Sequence, residues 1–273
     1  MSKVAIAQIK SSINKEENLR TAVSMIEQAG RGGAELISFP EFLMAFSPAS
    51  QTPEDLAKIA EAVDGHFIST LREAASKNRI AVLATIYETA PNPNRVFDTA
   101  VWLDALGDIA MSYRKVHLYD AFGFKESDKF EPGNAVPPPV TSGECRFGVM
   151  ICYDVRFPEM ARMLTLQGAN VLLVPAGWVQ GDLKLDHWQT MIKARALENG
   201  CYVIAPGQTG NIYIGHSMVA DPLGRMIVDL GEREGLDFAD LDSKLISETR
   251  TRLPLLANRR ADVYARSRNT NLP

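Results

Sequence analysis

Short apolar runs alternate along the chain with longer segments in which apolar residues recur at helical spacing. A run of about four to eight apolar residues is typical of a strand, and a period close to 3.6 residues is typical of a helix. Strands are predicted at residues 4–9, 36–40, 80–86, 99–103, 108–113, 146–152, 170–174, 201–205, 217–220 and 225–229. Helices are predicted over residues 14–28, 65–77, 158–167, 186–198 and 242–251, with another that begins at Thr52.

The order of these elements predicts the fold class. Residues 104–107 and 221–224 join pairs of strands through short turns, which indicates antiparallel hairpins within an otherwise alternating pattern. We therefore expect an α/β protein with mixed sheets. Two sheets packed face to face with helices outside would bury the apolar strands, and one large doubly wound sheet fits the pattern equally well. No repeat, low-complexity block or linker interrupts the sequence, so a single domain over residues 1–273 is expected.

Composition restricts the classes of function. The 273 residues are 46% hydrophobic and include three cysteines, which permits a core without a disulfide scaffold. The formal net charge of -4 gives no basic surface for nucleic acid. No apolar stretch approaches the roughly 20 residues of a membrane span, and the N-terminal residues are too polar for a secretory signal. The sequence predicts a cytoplasmic protein that binds neither nucleic acid nor membranes.

Cys152 is the residue that says most about the chemistry of this protein, because it is a candidate nucleophile. It ends an apolar run, and polar residues follow it. A thiol at the carboxyl end of a core strand is well placed to act as a nucleophile, although a small core residue would show the same pattern. Cys145 and Cys201 are better candidates for a core role, because Cys145 stands beside Glu144 and Cys201 begins an apolar run.

Two other strand-like runs also end at residues whose side chains can activate a thiol. Glu41 follows the run over residues 36–40, and Lys115 follows the run over residues 109–114. An ammonium lowers the pKa of a nearby thiol, and a carboxylate can accept the thiol proton. Taken alone, Glu41 could be the start of a helix, and Lys115 could be an ordinary surface lysine. Together with Cys152 they are sufficient for acyl transfer at a thiol.

The motifs around these residues resemble the nitrilase superfamily of carbon–nitrogen hydrolases. The motifs occupy residues 39–41, 113–118, 151–154, 195–199 and 215–217, in the family's order and across nearly the whole chain. The resemblance implies a four-layer α-β-β-α sandwich and a Glu–Lys–Cys triad. It also implies a homodimer or higher homo-oligomer formed through a helical face, in which the C-terminal segment over about residues 242–273 takes part.

The resemblance further implies a mechanism of amide hydrolysis that releases ammonia. Cys152 would attack the carbonyl, while Lys115 and the backbone N–H of Tyr153 stabilise the oxyanion. Glu41 would protonate the departing ammonia and then activate water to hydrolyse the thioester. Glu126, in a Glu-Ser setting like the family's, would position Lys115 or the substrate, unless it is an ordinary carboxylate of a surface loop.

Residues 152–159 resemble the branch that acts on amides of dicarboxylic acids, which includes ω-amidase and deaminated glutathione amidase. In that branch Arg156 would pair with a substrate carboxylate; an ion pair with Asp154 or Glu159 is the alternative. Trp178 follows a strand and would line the acyl site or belong to the core.

The segment between Lys115 and Glu126 lacks the longer Pro-Gly loop common in ω-amidase-like sequences, so the resemblance does not extend to the precise substrate. Nitriles and N-carbamoyl amino acids are alternatives within the superfamily, because they use the same triad. Outside it, His117 or His216 would activate Cys152, or the chain would be a binding protein or thiol redox sensor. The dispersed histidines and the absence of a phosphate-binding glycine loop predict no metal and no cofactor. The expected partner is a small amide.

Overall fold

Strands and helices alternate along residues 1–264, the part of the chain that the computed structural model describes. The first half contains β1 (Ser2–Gln8), α1 (Lys15–Arg31), β2 (Leu36–Ser38), α2 (Pro53–Ile59), α3 (His66–Asn78), β3 (Ala81–Thr89), β4 (Val96–Leu103) and β5 (Ile109–Arg114). The second half contains β6 (Val140–Ser142), β7 (Cys145–Val149), α4 (Pro158–Leu166), β8 (Val171–Leu173), α5 (Lys184–Asn199), β9 (Tyr202–Ala205), β10 (Thr209–Gly210), β11 (Tyr213–Ile214), β12 (Met218–Ala220), β13 (Met226–Asp229), β14 (Gly235–Leu241), α6 (Ser243–Arg252) and α7 (Ala261–Tyr264). Single 3-10 turns occupy Glu126–Asp128 and Cys152–Arg156.

The strands form two six-stranded mixed sheets. The first has the order β14-β1-β2-β3-β4-β5, and the second has the order β13-β12-β9-β8-β7-β6. The predicted hairpins are present, because β4 pairs antiparallel with β5 and β12 pairs antiparallel with β13. Helices α1 and α3 pack together on the first sheet, and α4 and α5 pack on the second. The four-layer α-β-β-α sandwich is therefore confirmed, and a single doubly wound sheet is excluded.

Alternation along the strands creates two apolar cores. Between the sheets, Trp102 of β4 meets Phe147 of β7 with ring centroids 5.1 Å apart. On the other face of the first sheet, Val101 packs under the helices with Ile26 and Leu71. Each large apolar side chain buried in this way contributes roughly 1.5–3 kcal/mol. Together the two cores fix both the sheet-to-sheet distance and the helices that cover the first sheet.

Parallel pairing places the ends of several strands at one edge of each sheet. Strands β1, β2 and β3 are parallel, and β5 runs in the same direction because β4 is antiparallel to both of its neighbours. In the second sheet β7, β8 and β9 are parallel. The segments that follow β2, β5, β7 and β8 therefore meet between the carboxyl edges of the two sheets.

The predicted secondary structure needs correction at one strand end and in several elements that it missed. The strand predicted through Cys152 ends at Val149, because Cys152 has φ +44° and begins a 3-10 turn. Strands β6, β10, β11 and β14 and helix α7 were not predicted; β6, β10, β11 and α7 have two to four residues each, and β14 is an edge strand beside β1. Residues 265–273, the end of the segment predicted to take part in dimerisation, lie outside the described residues. No helix within residues 1–264 is long and apolar enough to cross a membrane.

Candidate active site

The structure brings together the three residues that the sequence places at strand ends. Glu41 follows β2 and Lys115 follows β5 in the first sheet, while Cys152 follows β7 in the second. Lys115 Nζ lies 2.8 Å from Glu41 Oε1, and both side chains are almost completely buried, at 1% and 0% exposed. The Cys152 thiol lies near enough to Glu41 for the carboxylate to raise the pKa of the thiol. A carboxylate, an ammonium and a thiol thus share one desolvated site.

Lys115 is held between two carboxylates. Its Nζ lies 2.9 Å from both carboxyl oxygens of Glu126, which also accepts the Tyr119 backbone N–H at 2.6 Å. Burial opposes the charge on Lys115, but Glu126 and Glu41 outweigh it and raise the pKa of Lys115 well above its ordinary value. The surroundings therefore favour the charged form of Lys115. An ammonium has three N–H donors, which matches the contacts with Glu41 and with the two oxygens of Glu126. A substrate oxygen must therefore take over one of the two Glu126 contacts.

The second Glu41 oxygen is held by a backbone amide that the sequence did not identify. Gly177, which follows β8, donates its N–H to Glu41 Oε2 at 2.6 Å. A Cβ at Gly177 would lie 2.7 Å from Phe42 Cδ2 and 3.0 Å from Tyr213 Cε1. Only glycine therefore allows the backbone to approach Glu41 this closely.

We expect Gly177→Ala to lower kcat/KM by about 10- to 100-fold and to destabilise the fold by about 1–3 kcal/mol. The added methyl group would push the backbone N–H away from the Glu41 carboxylate. Steady-state kinetics and thermal unfolding measure the two effects. Gly235→Ala is the matched control, because a Cβ added at Gly235 would meet no atom within 4 Å. Full activity in Gly177→Ala would show that this amide is dispensable.

Cys152 is presented by a strained turn. Its φ of +44° lies in the left-handed region, which costs a non-glycine residue about 1–2 kcal/mol. The buried carboxylate of Asp154 compensates by accepting the Ile151 N–H at 2.8 Å and the Tyr113 hydroxyl at 2.7 Å. The Cys152 N–H donates to Pro175 O at 2.9 Å. These contacts hold the turn in its strained conformation and direct the thiol towards the cavity.

The surroundings of Cys152 favour the neutral form of its thiol. Burial first, and then the Glu41 carboxylate, raise the pKa of Cys152 well above its ordinary value, and Lys115 offsets them only in part. The sequence expectation that Lys115 lowers this pKa is correct in direction, but the effect of Lys115 is the smaller one. The thiol therefore needs a base at the moment of attack, and Glu41 is in place to supply it.

A cavity of about 320 Å³ opens onto the thiol. Five of the predicted site residues line it: Cys152, Glu126, Tyr153, Arg156 and Trp178. The other two, Glu41 and Lys115, are buried behind the lining. The Arg156 guanidinium lies 4.8 Å from the Trp178 ring centroid, and its buried Nε and Nη2 have no hydrogen-bond partner in the described chain. The alternative ion pair with Asp154 or Glu159 does not form there.

Three lysines that the sequence did not single out also line this cavity, and one of them, Lys125, forms an ion pair with Asp128. Lys184 Nζ donates to the Tyr119 hydroxyl at 2.5 Å, and Lys129 Nζ donates to Ser47 Oγ and Pro48 O at 3.3 Å. Neither forms an ion pair within residues 1–264. Burial lowers the pKa of both Lys129 and Lys184, and Arg156 lowers that of Lys184 further. Arg156 and Lys184 make a cationic wall, although the net charge of the chain is -4.

The histidines named in the alternative mechanism are engaged elsewhere. His117 Nδ1 lies 2.7 Å from Asp154 Oδ1, and its ring stacks on Phe157 with centroids 3.6 Å apart. His216 Nδ1 lies 2.9 Å from Asp229 Oδ1. Neither lines the cavity. Among the described side chains, no group of three or more His, Cys, Asp and Glu residues is arranged to hold a metal ion.

Comparison with known proteins identifies the family. Residues 3–251 match the model of the carbon–nitrogen hydrolase family. The chain is 37% identical over 258 residues to the deaminated glutathione amidase of Escherichia coli O157:H7, covering 94% of this chain and 97% of that protein. It is 34% identical over 277 residues to the enzyme of the same name from Rattus norvegicus, covering 96% and 83% of the two chains.

The fold is shared with a solved structure of the NitFhit protein of C. elegans. The TM-score is 0.89 at 32% sequence identity, over 96% of this chain and 66% of the longer NitFhit chain. Sequence and fold agree over nearly the full length. The chain therefore belongs to the carbon–nitrogen hydrolase family of the nitrilase superfamily and is an amidase-type hydrolase.

Proposed function

We propose that the protein hydrolyses a small linear amide that carries a carboxylate, through a thioester on Cys152 and with release of ammonia. The observation that carries the proposal is the buried contact of Lys115 with Glu41 beside a neutral thiol, at the base of a cationic cavity. Such a site can move one proton repeatedly without exchange with bulk water.

Acylation begins when Glu41 takes the Cys152 proton as Sγ attacks the amide carbonyl carbon. The new C–S bond leaves negative charge on the carbonyl oxygen, which the ammonium of Lys115 and the backbone N–H of Tyr153 stabilise. Protonated Glu41 then gives its proton to the amide nitrogen. The C–N bond breaks, ammonia leaves, and the thioester remains.

Deacylation uses the same groups in the reverse order. Glu41 takes a proton from water as the water oxygen attacks the thioester carbonyl, and Lys115 again stabilises the oxyanion. The C–S bond then breaks, the acid product leaves, and Glu41 returns its proton to Cys152. Glu126 keeps Lys115 oriented throughout, because both of its oxygens contact the ammonium.

The cationic wall supports a carboxylate on the substrate. Buried Arg156 nitrogens without partners are costly unless an anion satisfies them on binding. A guanidinium can grip a carboxylate through two parallel hydrogen bonds. Lys184 lies near enough to Arg156 for its pKa to be lowered by that charge, so both cations can act on one end of the substrate.

We expect Arg156→Met to lower kcat/KM for a carboxylate-bearing amide by about 10- to 100-fold, mainly through KM. For a neutral amide of similar length the change should stay within about threefold. Arg31→Met, at an exposed position of α1, is the control. Equal losses on both amides would mean that Arg156 shapes the site without binding the carboxylate.

Ammonia release over a matched panel tests the proposed function. The panel contains ω-amides of dicarboxylic acids, neutral amides, N-carbamoyl amino acids and nitriles. We expect the highest kcat/KM on a carboxylate-bearing amide. A preference for carbamoyl compounds or nitriles would reassign the substrate within the family. No turnover of any amide, with reversible oxidation of Cys152 instead, would favour a redox sensor.

We also propose that the protein forms a homodimer through the face made by α4 and α5. These helices pack against each other over the second sheet. They expose Met163, Leu166 and Leu197 to between 37% and 49%. Apolar side chains grouped on one helical layer are typical of an interface between subunits.

A further inference from the structure

Asp98 is a third carboxyl group at the catalytic lysine. It stands on β4, is 2% exposed, and accepts the backbone N–H of Lys115 through its carbonyl oxygen at 2.9 Å. Its Oδ2 lies 3.9 Å from Lys115 Nζ, which is too far for a hydrogen bond. Neither carboxyl oxygen has a donor within residues 1–264. Three carboxyl groups, on Glu41, Glu126 and Asp98, therefore surround one ammonium.

An ionised Asp98 does not fit this arrangement. Lys115 directs its hydrogen bonds to Glu41 and Glu126, so an Asp98 carboxylate would be buried without a donor beside two other negative charges. Burial first, and then Glu41, raise the pKa of Asp98 well above its ordinary value, and Lys115 offsets them only in part. Tyr87, opposite Asp98 on β3, donates its hydroxyl to Ala45 O instead.

We propose that Asp98 is a positioning residue that carries a proton at neutral pH and donates it in a hydrogen bond to the Glu41 carboxylate. Glu41 would then have three fixed donors, since Lys115 holds Oε1 and the Gly177 N–H holds Oε2. The inference rests on the proposed function, because a base that takes and returns one proton must stay oriented between the thiol and the substrate nitrogen. Asp98 itself does not contact the substrate.

Substitution of Asp98 by asparagine or by alanine shows whether this position acts as a hydrogen-bond donor or as a carboxylate. The asparagine side chain also offers an N–H donor but cannot ionise. We expect Asp98→Asn to keep kcat/KM within about threefold of wild type, with an unchanged pH profile, and Asp98→Ala to lower kcat by about 10- to 100-fold at nearly constant KM. A shifted pH profile in Asp98→Asn, or a loss as large as in Asp98→Ala, would overturn the proposal.

Infrared difference spectroscopy locates the proton without relying on activity or on the alanine variant. At pH 7 the wild-type protein should show a protonated-carboxyl C=O band that disappears in Asp98→Asn. The band should persist in Asp240→Asn, an exposed position on β14 of the same sheet. Identical spectra for wild type and Asp98→Asn would overturn the proposal. If no amide is hydrolysed, the proposed function fails, whereas the band still decides where the proton resides.

Discussion

Replacing Lys115 with methionine is expected to lower kcat/KM by at least about 1,000-fold. The change removes the oxyanion donor, which alone is worth about 10²- to 10³-fold, and it releases Glu41 and Glu126 from their shared ammonium. The ammonia-release assay measures the loss. Lys77→Met, at an exposed position of α3, should retain wild-type activity. Substantial activity in Lys115→Met would favour a thiol enzyme that uses a histidine as its base.

Stability and activity can be separated in this variant. Without Lys115, two carboxyl groups remain buried without a counter-ion, which typically costs about 3–5 kcal/mol. Adding Glu126→Gln removes one of these charges, so the double variant should recover part of the free energy of unfolding. It should remain inactive, because the oxyanion donor is still missing. Recovery of activity together with stability would mean that Lys115 serves the fold and not the reaction.

Replacing Cys152 with alanine is expected to abolish turnover, with a fall in kcat of at least about 10⁴-fold. The side chain is the only one of the three cysteines in the cavity lining. Cys145→Ala and Cys201→Ala are the controls. Both thiols are buried and neither lines the cavity, so a substrate carbonyl in the cavity does not reach them. The controls should lose some stability and keep their activity.

The Cys152→Ala protein should still bind the carboxylate-bearing amide. Arg156 and Trp178 lie in the cavity wall and do not depend on the thiol for their positions. Calorimetric titration with the amide measures this binding. Turnover that survives in Cys152→Ala would contradict the proposed reaction directly, since no acyl group could be transferred to the protein at that position.

Strand periodicity predicted much of the fold, because buried strands and amphipathic helices leave clear patterns. The ends of β2, β5 and β7 could be found in this way, and with them Glu41, Lys115 and Cys152. Apart from the two hairpins, sheet pairing could not be found, since it depends on contacts between residues far apart in sequence. This is also why β14, which closes the first sheet against β1, was missed.

Other parts of the site had no signal in the sequence. Gly177 contributes only a backbone amide, and Lys184 is an ordinary helix residue until α5 is packed against the cavity. Asp98 lies within an apolar strand, where its role depends on two carboxylates from other segments. For Arg156 the sequence left two possibilities open, and within residues 1–264 the ion pair with Asp154 or Glu159 does not form. The raised pKa of Cys152 likewise follows from burial, which the sequence does not specify.

Rapid quenching followed by intact-mass analysis tests the central claim most directly. Protein mixed with excess carboxylate-bearing amide should show a burst of ammonia equal to one per active site. Over the same interval, the mass should increase by that of the acyl group on Cys152, and hydroxylamine should remove it. The adduct should be absent in Cys152→Ala. Ammonia released steadily by wild type with no adduct at any time, and undiminished in Cys152→Ala, would contradict the account.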